Sequence, residues 1–417
     1  MRAGRPRRHG ALVLGSDYKA LGIVRSLGRH GIPVWVLNDE HHLAGWSRYA
    51  GRTLDWPEDE SERVEYLQAL CGTEDLAGWA LFPTGDDTAA LLARHHAALS
   101  ARYRLTVSPW DVLRWAYDKR LTYRLAADLG VDHPRTFYPR SREDVLGYAG
   151  GFPAILKPAI RPAMNRFTSA KAWRVEDRAG LVARYDEACA LIDPSLIMIQ
   201  ELVAGGGDTQ LSYAALCRSG RPLASLTARR TRQWPMDFGR ASTFVETVVA
   251  PDVERVACRV LAAIGLDGIV EVEFKRDARS GRLMLLDVNA RAWGWHTLGR
   301  AAGVDFPFLL WGMANGEGVP ALRGRPGVRW VRALTDVPTV LGEIRAGRLG
   351  VAEYLRSLRG PIEFAVLAPD DPLPALIEIP LSLRLALERR TRGGDARAAE
   401  ERTALPMGDA SARLTSR

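Results

Sequence analysis

The feature that most constrains this chain is a pair of apolar segments, GIVEVEFKRD at 268–277 and RLMLLDVNAR at 282–291, separated by a short turn. Their length, their alternating pattern and their separation predict an antiparallel β-hairpin. The second segment begins as a buried strand would, but charged and amide side chains then appear at every second position. Such a hairpin would pack one face into a core and present polar groups on the other face.

The polar face of the predicted hairpin concentrates charge. Side chains alternate between the faces of a strand, so Glu271 and Glu273 share one side, and Asp287, Asn289 and Arg291 share one side of the second strand. If these faces pair, carboxylates come together, and a cation relieves their repulsion. Carboxylate and carboxamide oxygens suit Mg²⁺, which keeps other positions for water and substrate phosphates. We interpret the hairpin as a platform for metal and phosphate.

The alternative interpretation is an exposed amphipathic hairpin whose acids are simply solvated. That arrangement would favour polar neighbours, whereas Leu285, Leu286, Trp293 and Trp295 are large and apolar. Apolar side chains of this size indicate burial. The patterning of both strands therefore favours the metal-binding interpretation.

The composition places the chain among globular proteins. With 417 residues, 47% of them hydrophobic, it is long enough for several domains. A run of about 18 uncharged apolar residues is absent, and the early ALVLG is too short for the core of a signal peptide. We therefore expect a cytoplasmic protein without stable membrane insertion. The segment IPLSLRLALERR leaves open an amphipathic helix that lies on a membrane surface.

The net charge of +8 lies mainly in the tails. Residues 1–10 carry +4 and residues 389–417 carry +3, so the middle of the chain is close to neutral. Basic disordered tails explain this distribution better than a dedicated nucleic-acid site does. We expect no nucleic-acid partner.

The N-terminal part of the chain alternates strands and helices. Residues 11–38 predict strand, helix and strand, and WALFPTGDD at 79–87 predicts another strand before a helix. This α/β pattern favours a parallel sheet. Gly15 and Gly22 do not form a GxGxxG fingerprint, so a nicotinamide oxidoreductase that uses this region is disfavoured.

The remainder of the chain predicts an α+β organisation. A long helix is predicted over 111–130, followed by strands in GFPAILKP and SLIMIQELV. From Asp208 the chain becomes rich in strands, and residues 330–388 have a mainly helical pattern.

Several motifs in combination resemble the ATP-grasp superfamily. They are EVEF followed by LLDVNAR, the lysine of YDKRLTYRLAADLG, the lysine of FPAILKP, and IQELVAGGGD. The resemblance covers about residues 10–320 and is greatest to the carbamoyl-phosphate-synthase-like carboxylate–amine ligases that include D-aspartate ligase. The segment WGWHTLGRAAGVDFPFLLW, which follows the Asn-x-Arg, is also similar to that branch.

The resemblance implies a Rossmann-like pre-ATP-grasp domain, a two-lobed ATP-grasp domain that holds ATP between its lobes, and a mainly helical C-terminal region. The expected boundaries are 1–115 for the Rossmann-like domain, 116–200 for the first lobe, 201–320 for the second lobe with the metal site, 321–388 for the helical region, and 389–417 for a disordered basic tail.

The resemblance also implies roles for individual residues. Lys157 and Arg291 would act in catalysis, with Arg291 stabilising an acyl phosphate or the developing negative charge. The implied Mg²⁺ ligands are Glu273, Asp287 and Asn289, with Glu271 a less suitable substitute. The implied nucleotide-binding residues are Lys119, Lys157, Lys171, Gln200, Glu201, Val203 and Asp208.

The chain departs from the superfamily pattern in two places. Asp287 stands where many members have Glu, and RPAMNRFTSAK at 161–171 lacks the glycines common in the loop that covers the phosphates. A second loop, ARRTRQWPMDFGRASTFVE at 228–246, is rich in arginine. It either faces the cleft and holds an acidic group or is a solvated basic loop, and both interpretations stay open.

The function implied by the resemblance is an ATP-dependent carboxylate–amine ligase that requires Mg²⁺, with Mn²⁺ as an alternative ion. Phosphoryl transfer would convert a carboxylate into an acyl phosphate, which an amine attacks to give an amide. The acid and the amine would be small molecules, one of them an amino acid or a peptide, and the oligomeric state is left open. The alternatives are a bicarbonate-phosphorylating enzyme of the carboxylase or carbamoyl-phosphate type, and a non-catalytic nucleotide-binding module.

Overall fold

The structure, a computed structural model, describes residues 9–160, 165–170, 172–234, 236 and 241–403, with side chains up to residue 388. The first strands are β1 (Ala11–Leu14), β2 (Val34–Asn38), β3 (Arg52–Asp55), β4 (Ala80–Pro83) and β5 (Arg104–Leu105). The helices between and beside them are α1 (Tyr18–Arg29), α2 (Glu60–Thr73), α3 (Asp86–Arg94) and α4 (His96–Ser100). The strands form a parallel sheet in the order β3-β2-β1-β4-β5. The predicted parallel α/β arrangement is confirmed.

A second sheet follows and is antiparallel. Its strands are β6 (Thr136–Phe137), β7 (Ala154–Pro158), β8 (Trp173–Val175) and β9 (Ile197–Glu201), in the order β6-β9-β7-β8. The helices of this part are α5 (Trp110–Tyr117), α6 (Lys119–Asp128), α7 (Arg142–Leu146), α8 (Arg166–Ser169) and α9 (Arg178–Cys189). The apolar residues of α9 pack on one face of β7 and β9, and Met198 on the other face of β9 packs with Tyr123 and Ala159. Burial on both faces explains the continuous apolar sequence of β9.

The long helix predicted over 111–130 is in fact two helices. Asp118 has an extended backbone (φ −97°, ψ 111°), and its carboxylate accepts a hydrogen bond from the Arg120 amide. Asp118 therefore caps α6 at its N-terminus. The helical pattern continues on both sides of the break, so hydrophobic periodicity alone predicted one helix. The break makes Lys119 the first residue of α6.

A third, larger sheet contains most of the remaining strands. They are β10 (Gln210–Arg218), β11 (Arg221–Trp234), β12 (Ala241–Val248), β13 (Gly268–Arg276), β14 (Leu283–Asn289), β15 (Leu322–Arg323), β16 (Arg329–Val331) and β17 (Ile362–Phe364). The order is β14-β13-β10-β11-β12-β16-β17, and β15 pairs with β11. The helices are α10 (Pro251–Ile264), α11 (Leu298–Ala302), α12 (Phe306–Ala314), α13 (Ala333–Arg345), α14 (Val351–Ser357) and α15 (Leu373–Thr403).

The C-terminal region is helical, as its pattern suggests, but it also adds strands β15, β16 and β17 to the third sheet. Helix α15 extends through Thr403, beyond the point from which we predict a disordered tail, and residues 404–417 lie outside the described residues. Within the described ranges, none of the helices has the length and apolar character needed to cross a bilayer.

The predicted hairpin is confirmed as β13 paired with β14. The two strands are antiparallel, with Glu271 opposite Asn289 and Glu273 opposite Asp287. The side chains on the other face, such as Val272, are buried in an apolar core. One face of the hairpin is therefore held in place by hydrophobic packing, which fixes the register of the polar face.

A buried ion pair anchors the C-terminal region to the third sheet. The Arg232 Nε and Nη2 atoms donate to the two carboxylate oxygens of Asp336 at 2.8 and 2.9 Å, and Asp336 is fully buried. We expect Asp336→Ala to lower the free energy of unfolding by about 3–5 kcal/mol, because it leaves a buried guanidinium without its partner. Urea unfolding measures this change. Asp186→Ala, which removes an exposed partner of Arg142, is the control and should change it by less than about 1 kcal/mol. Equal effects of the two variants would contradict the expectation.

Candidate active site

A cleft of about 620 Å³ is lined by residues from all three sheets and their loops. The polar face of the β13–β14 hairpin forms one part of its lining. The loop after β1 and the start of α3 contribute from the parallel sheet, and the end of β7 contributes from the second sheet. The residues whose charge or amide group reaches this cleft are Asp17, Lys19, Asp86, Lys119, Arg230, Glu271, Glu273, Asp287, Asn289, Arg291 and Arg332.

The three predicted metal ligands lie together on the cleft wall. Asn289 donates through Nδ2 to Glu273 Oε1 at 2.8 Å and to Glu271 Oε2 at 3.2 Å. Arg230 Nη2 lies 3.4 Å from Glu273 Oε2. The hairpin thus brings the Glu271 and Glu273 carboxylates together on one face, as the alternating pattern predicts.

Glu271 has a different environment from the other acids. It is 2% exposed, and its Oε1 accepts hydrogen bonds from Ser212 Oγ at 2.9 Å and Trp295 Nε1 at 3.0 Å. Burial and the neighbouring Glu273 carboxylate raise the pKa of Glu271 to about 7. Two donors therefore hold Oε1 in place and the Asn289 amide contacts Oε2, so both carboxylate oxygens of Glu271 have partners within the protein.

Lys119 lies directly on the polar face. Its Nζ donates to Asp287 Oδ1 at 2.7 Å, and both side chains are largely buried. The backbone amide of Lys119 donates to Ala159 O, next to the end of β7. A helix N-terminus and an ammonium group therefore lie at the same end of the cleft as Asp287, where negative charge is favoured.

Arg291 is held by a residue that the sequence interpretation missed. Its Nε donates to Asp86 Oδ1 at 2.8 Å, its Nη2 donates to Asp86 Oδ2 at 3.1 Å, and Nη2 also lies 3.2 Å from Asn289 Oδ1. Burial acts to lower the pKa of Arg291, but the carboxylates of Asp86, Glu271 and Asp287 together outweigh it and keep that pKa above its usual value. Asp86 begins α3, just after β4. Ligand sites in parallel sheets lie at the carboxyl ends of strands. The GDD turn that follows β4 could therefore have indicated Asp86 as a site residue.

Lys157 lies on β7 beside Tyr123 rather than in the lining of the cleft. Its Nζ donates to the Tyr123 hydroxyl at 3.1 Å and lies 5.5 Å from the centre of that ring. The Tyr123 hydroxyl in turn donates to Leu286 O at 2.8 Å, next to Asp287. Tyr123, which the sequence interpretation did not single out, therefore links Lys157 to the strand that carries the acids.

The residues that we predict to contact adenine and ribose lie at the end of β9 and in the segment that follows it. Gln200 is buried and donates to Thr136 Oγ1 at 2.8 Å, and Glu201 accepts from the Arg135 amide at 3.0 Å. Val203 is buried, whereas Asp208 is exposed in a short 3₁₀ turn. These four residues do not line the cleft described above, and Lys171 lies outside the described residues.

The arginine-rich segment 228–246 was wrongly predicted as a loop: its described residues mostly belong to the end of β11 and the start of β12, which pair in the third sheet. Its arginines divide between two roles. Arg230 enters the cleft, whereas Arg232 is the core partner of Asp336, and Arg229 lies 3.5 Å from Glu246 at the surface. Arg240 lies outside the described residues, as does most of the turn between β11 and β12. Among the described arginines of this segment, the prediction that it faces the cleft thus holds for Arg230.

The donor set was compared with what a divalent cation needs. A cluster of three or more His, Cys, Asp or Glu side chains arranged for a metal is not found in the described part of the chain. Glu273 and Asp287 supply two carboxylates, and the Asn289 carboxamide would have to complete the set. The carboxylate oxygens are hard ligands on one face, and Asn289 would add its Oδ1, which in this structure accepts a hydrogen bond from Arg291. Such a set suits Mg²⁺, which completes its coordination with water and phosphate oxygens.

Comparison with known proteins found a sequence similarity to one ligase and a structural similarity to several solved structures. A D-alanine–D-alanine ligase of Xanthomonas axonopodis pv. citri (strain 306) is 32% identical over 213 residues, which cover 46% of this chain and 63% of that enzyme. The matched segment thus spans less than two thirds of that ligase. None of the protein-family models searched matches the chain.

Solved structures share the fold across about three quarters of the chain. An L-amino acid ligase from Bacillus licheniformis has a TM-score of 0.56 and 16% identity, and the match covers 74% of each chain. The biotin carboxylase domain of Hydrogenobacter thermophilus 2-oxoglutarate carboxylase has a TM-score of 0.60 and 15% identity, and the match covers 76% of this chain and 73% of that one. A phosphoribosylamine–glycine ligase from Thermotoga maritima has a TM-score of 0.56 and 14% identity, with 76% and 78% covered. At these identities the likeness shows the fold.

Proposed function

We propose that this chain, which has the ATP-grasp fold, is an ATP-dependent carboxylate–amine ligase that forms an amide through an acyl phosphate. The observation that carries this proposal is the cleft wall on which Glu273, Asp287 and Asn289 lie together beside Lys119 and Arg291. The local sequence similarity to a D-alanine–D-alanine ligase supports the choice of an amine as the second substrate.

The fold elements fit the domain division expected for such an enzyme. We assign the parallel sheet to a pre-ATP-grasp domain over 1–115, the second sheet to a first lobe over 116–200, and most of the third sheet to a second lobe over 201–320. The region 321–388 adds β16 and β17 at one edge of the third sheet. ATP would lie between the two lobes, with adenine at Gln200, Glu201 and Val203, and ribose at Asp208.

In the proposed reaction, the chain positions the phosphates and neutralises their charge. Lys119 and Lys157 would bind phosphate oxygens, and Lys119 would exchange its contact with Asp287 for one with the nucleotide. Glu273, Asp287 and Asn289 would hold Mg²⁺, which when bound neutralises the charge that develops on the transferred phosphoryl group.

Arg291 provides the second element of the chemistry. A carboxylate oxygen of the acid attacks the γ-phosphorus and releases ADP, and the amine then attacks the carbonyl carbon and expels phosphate. Arg291 would stabilise the negative charge that appears on the carbonyl oxygen in that second step. Asp86 fixes the plane of its guanidinium group, so the donors are oriented before the substrates arrive.

The direct test measures ADP formed from ATP in the presence of Mg²⁺ with a panel of carboxylic acids and amines. The amide product is identified by mass spectrometry. The proposal predicts release that requires an acid and an amine together, with one amide formed for each ADP. Release that depends on bicarbonate and yields no amide would replace the ligase with a bicarbonate-phosphorylating enzyme. Binding of ATP without turnover for every pair would favour a nucleotide-binding module.

A prediction follows for the residue that holds Arg291. We expect Asp86→Asn to lower kcat roughly tenfold, because the variant loses the charge and one of the two parallel hydrogen bonds, with little change in the KM for ATP. Steady-state kinetics separate the two constants. Asp87→Asn, at the adjacent and more exposed position, is the matched control and should behave as the unaltered protein. An equal loss in both variants would show that Asp86 acts through the start of α3 rather than through Arg291.

A further inference from the structure

The arginines of this protein with buried guanidinium nitrogens differ in how many of those nitrogens donate hydrogen bonds. Arg25 donates through Nε and Nη2 to Asp371 and through Nη1 to Val366 O, at distances from 2.7 to 2.8 Å. Arg232 likewise engages Asp336 through Nε and Nη2 and Ser357 through Nη1. In these two structural arginines each guanidinium nitrogen thus donates a hydrogen bond, as buried polar groups normally do.

Arg332 does not follow this pattern. Its Nε is buried, yet it has no hydrogen-bond partner in the described part of the chain. Its Nη2 lies 3.4 Å from Glu378 Oε1, a long contact through a single pair of atoms. An unused buried donor on a charged group costs free energy unless a ligand satisfies it.

Although its Nε is buried, the Arg332 side chain is partly exposed, so a ligand can reach its guanidinium group. Arg332 lies between β16 and α13 and lines the cleft of the proposed active site. Its guanidinium carbon is 3.8 Å from the centre of the Tyr18 ring, and Tyr18 also lines the cleft. Stacking on an aromatic ring fixes the plane of a guanidinium group while leaving its edge available for hydrogen bonds.

Arg230 is the other cleft arginine with a buried Nε that lacks a partner among the described residues. Its Nη2, however, faces Glu271 and Glu273, so it belongs to the carboxylate face already described. Arg332 contacts Tyr18 and Glu378 instead. It is therefore a cation of the cleft that the proposed phosphoryl-transfer chemistry does not use.

We propose that Arg332, stacked on Tyr18, binds a carboxylate group of a substrate that is not the carboxylate activated by ATP. The reacting carboxylate must lie at Arg291 and the hairpin acids, whereas Arg332 is held by the β16–α13 junction and α1. A guanidinium edge matches a carboxylate in two parallel hydrogen bonds, which a neutral amide cannot reproduce. This inference rests on the proposed function and specifies it: at least one substrate carries a second, non-reacting carboxylate.

Two kinds of substrate supply such a group. An amino acid that acts as the amine keeps its own carboxylate, and a dicarboxylic acid that acts as the donor keeps its second one. Calorimetric titration of the full-length chain distinguishes them. The probes are the proteinogenic amino acids beside their carboxamides, and succinate and glutarate beside their monoamides.

The expected result is that a carboxylate probe binds more tightly than its amide, and that Arg332→Gln weakens its binding roughly 10- to 100-fold and removes this preference. Preference among amino acids would identify the amine as the source, and preference among dicarboxylates would identify the donor. Arg142→Gln, at a surface ion pair, is the control and should bind as the unaltered protein does.

A second variant distinguishes a binding role from a structural one. Glu378 competes with a carboxylate ligand for Arg332, so Glu378→Gln should strengthen binding of the same probe several-fold. If the pair merely stabilises the fold, the two variants should weaken binding together, and that result would overturn the proposal. Retained preference for carboxylate in Arg332→Gln, or equal binding of every acid and its amide, would also overturn it. Any of these results with amide formation intact would leave the ligase assignment standing.

Discussion

Asp287→Ala should lower Mg²⁺-dependent ADP formation roughly a thousandfold, the largest effect that we expect from a single substitution. Asp287 supplies one of the two carboxylates of the proposed metal set and is also the partner of Lys119. Its loss would remove a ligand and leave the lysine charge without its carboxylate. Initial rates of ADP formation at saturating ATP and substrates measure the effect.

The control for this substitution is Asp186→Ala, which removes a carboxylate from a surface ion pair and should leave the rate unchanged. Urea unfolding of Asp287→Ala separates lost chemistry from lost stability. Unaltered ADP formation in a folded Asp287→Ala protein would mean that the polar face of the β13–β14 hairpin is not the site of phosphoryl transfer.

Arg291→Lys should lower kcat by roughly 100- to 1,000-fold, the cost typical of losing a donor to a developing oxyanion. Lysine keeps the charge but cannot make the two parallel contacts that Arg291 makes with Asp86 while also reaching Asn289. The KM for ATP should change little, because the lost interaction arises in the transition state. Steady-state kinetics with both substrates test this split.

The outcome for Arg291→Lys also separates charge from geometry. A rate close to that of the unaltered protein would show that a positive charge at this position is sufficient and that the fork geometry set by Asp86 is irrelevant. A large rise in KM with kcat unchanged would instead place Arg291 in ground-state binding.

The polar hairpin face could be predicted because its information is local. A period of two along each strand, with a short turn between the strands, determines which side chains share a face. The acids and the amide lie on one face as that pattern predicts, whereas the specific pairs, Glu271 with Asn289 and Glu273 with Asp287, are known from the structure alone. The strands β1, β2 and β4 of the parallel sheet were predicted from another local signal, short apolar runs.

Contacts between distant parts of the chain could not be predicted in this way. Asp86 and Arg291 are 205 positions apart, and Arg332 meets Tyr18 through packing of the C-terminal region on α1. Local patterns also failed at Asp118, where a capping side chain interrupts an otherwise continuous helical period. Such contacts depend on how the elements pack, which hydrophobic periodicity does not specify.

The most direct test of the central claim follows oxygen from the acid into phosphate. Once a substrate pair is known, the acid is labelled with ¹⁸O in its carboxylate and the released phosphate is analysed by mass spectrometry. An acyl-phosphate mechanism predicts that each phosphate carries one ¹⁸O from the acid, because that oxygen bridges carbon and phosphorus until the amine attacks. Amide formation with unlabelled phosphate would contradict the mechanism proposed for this site.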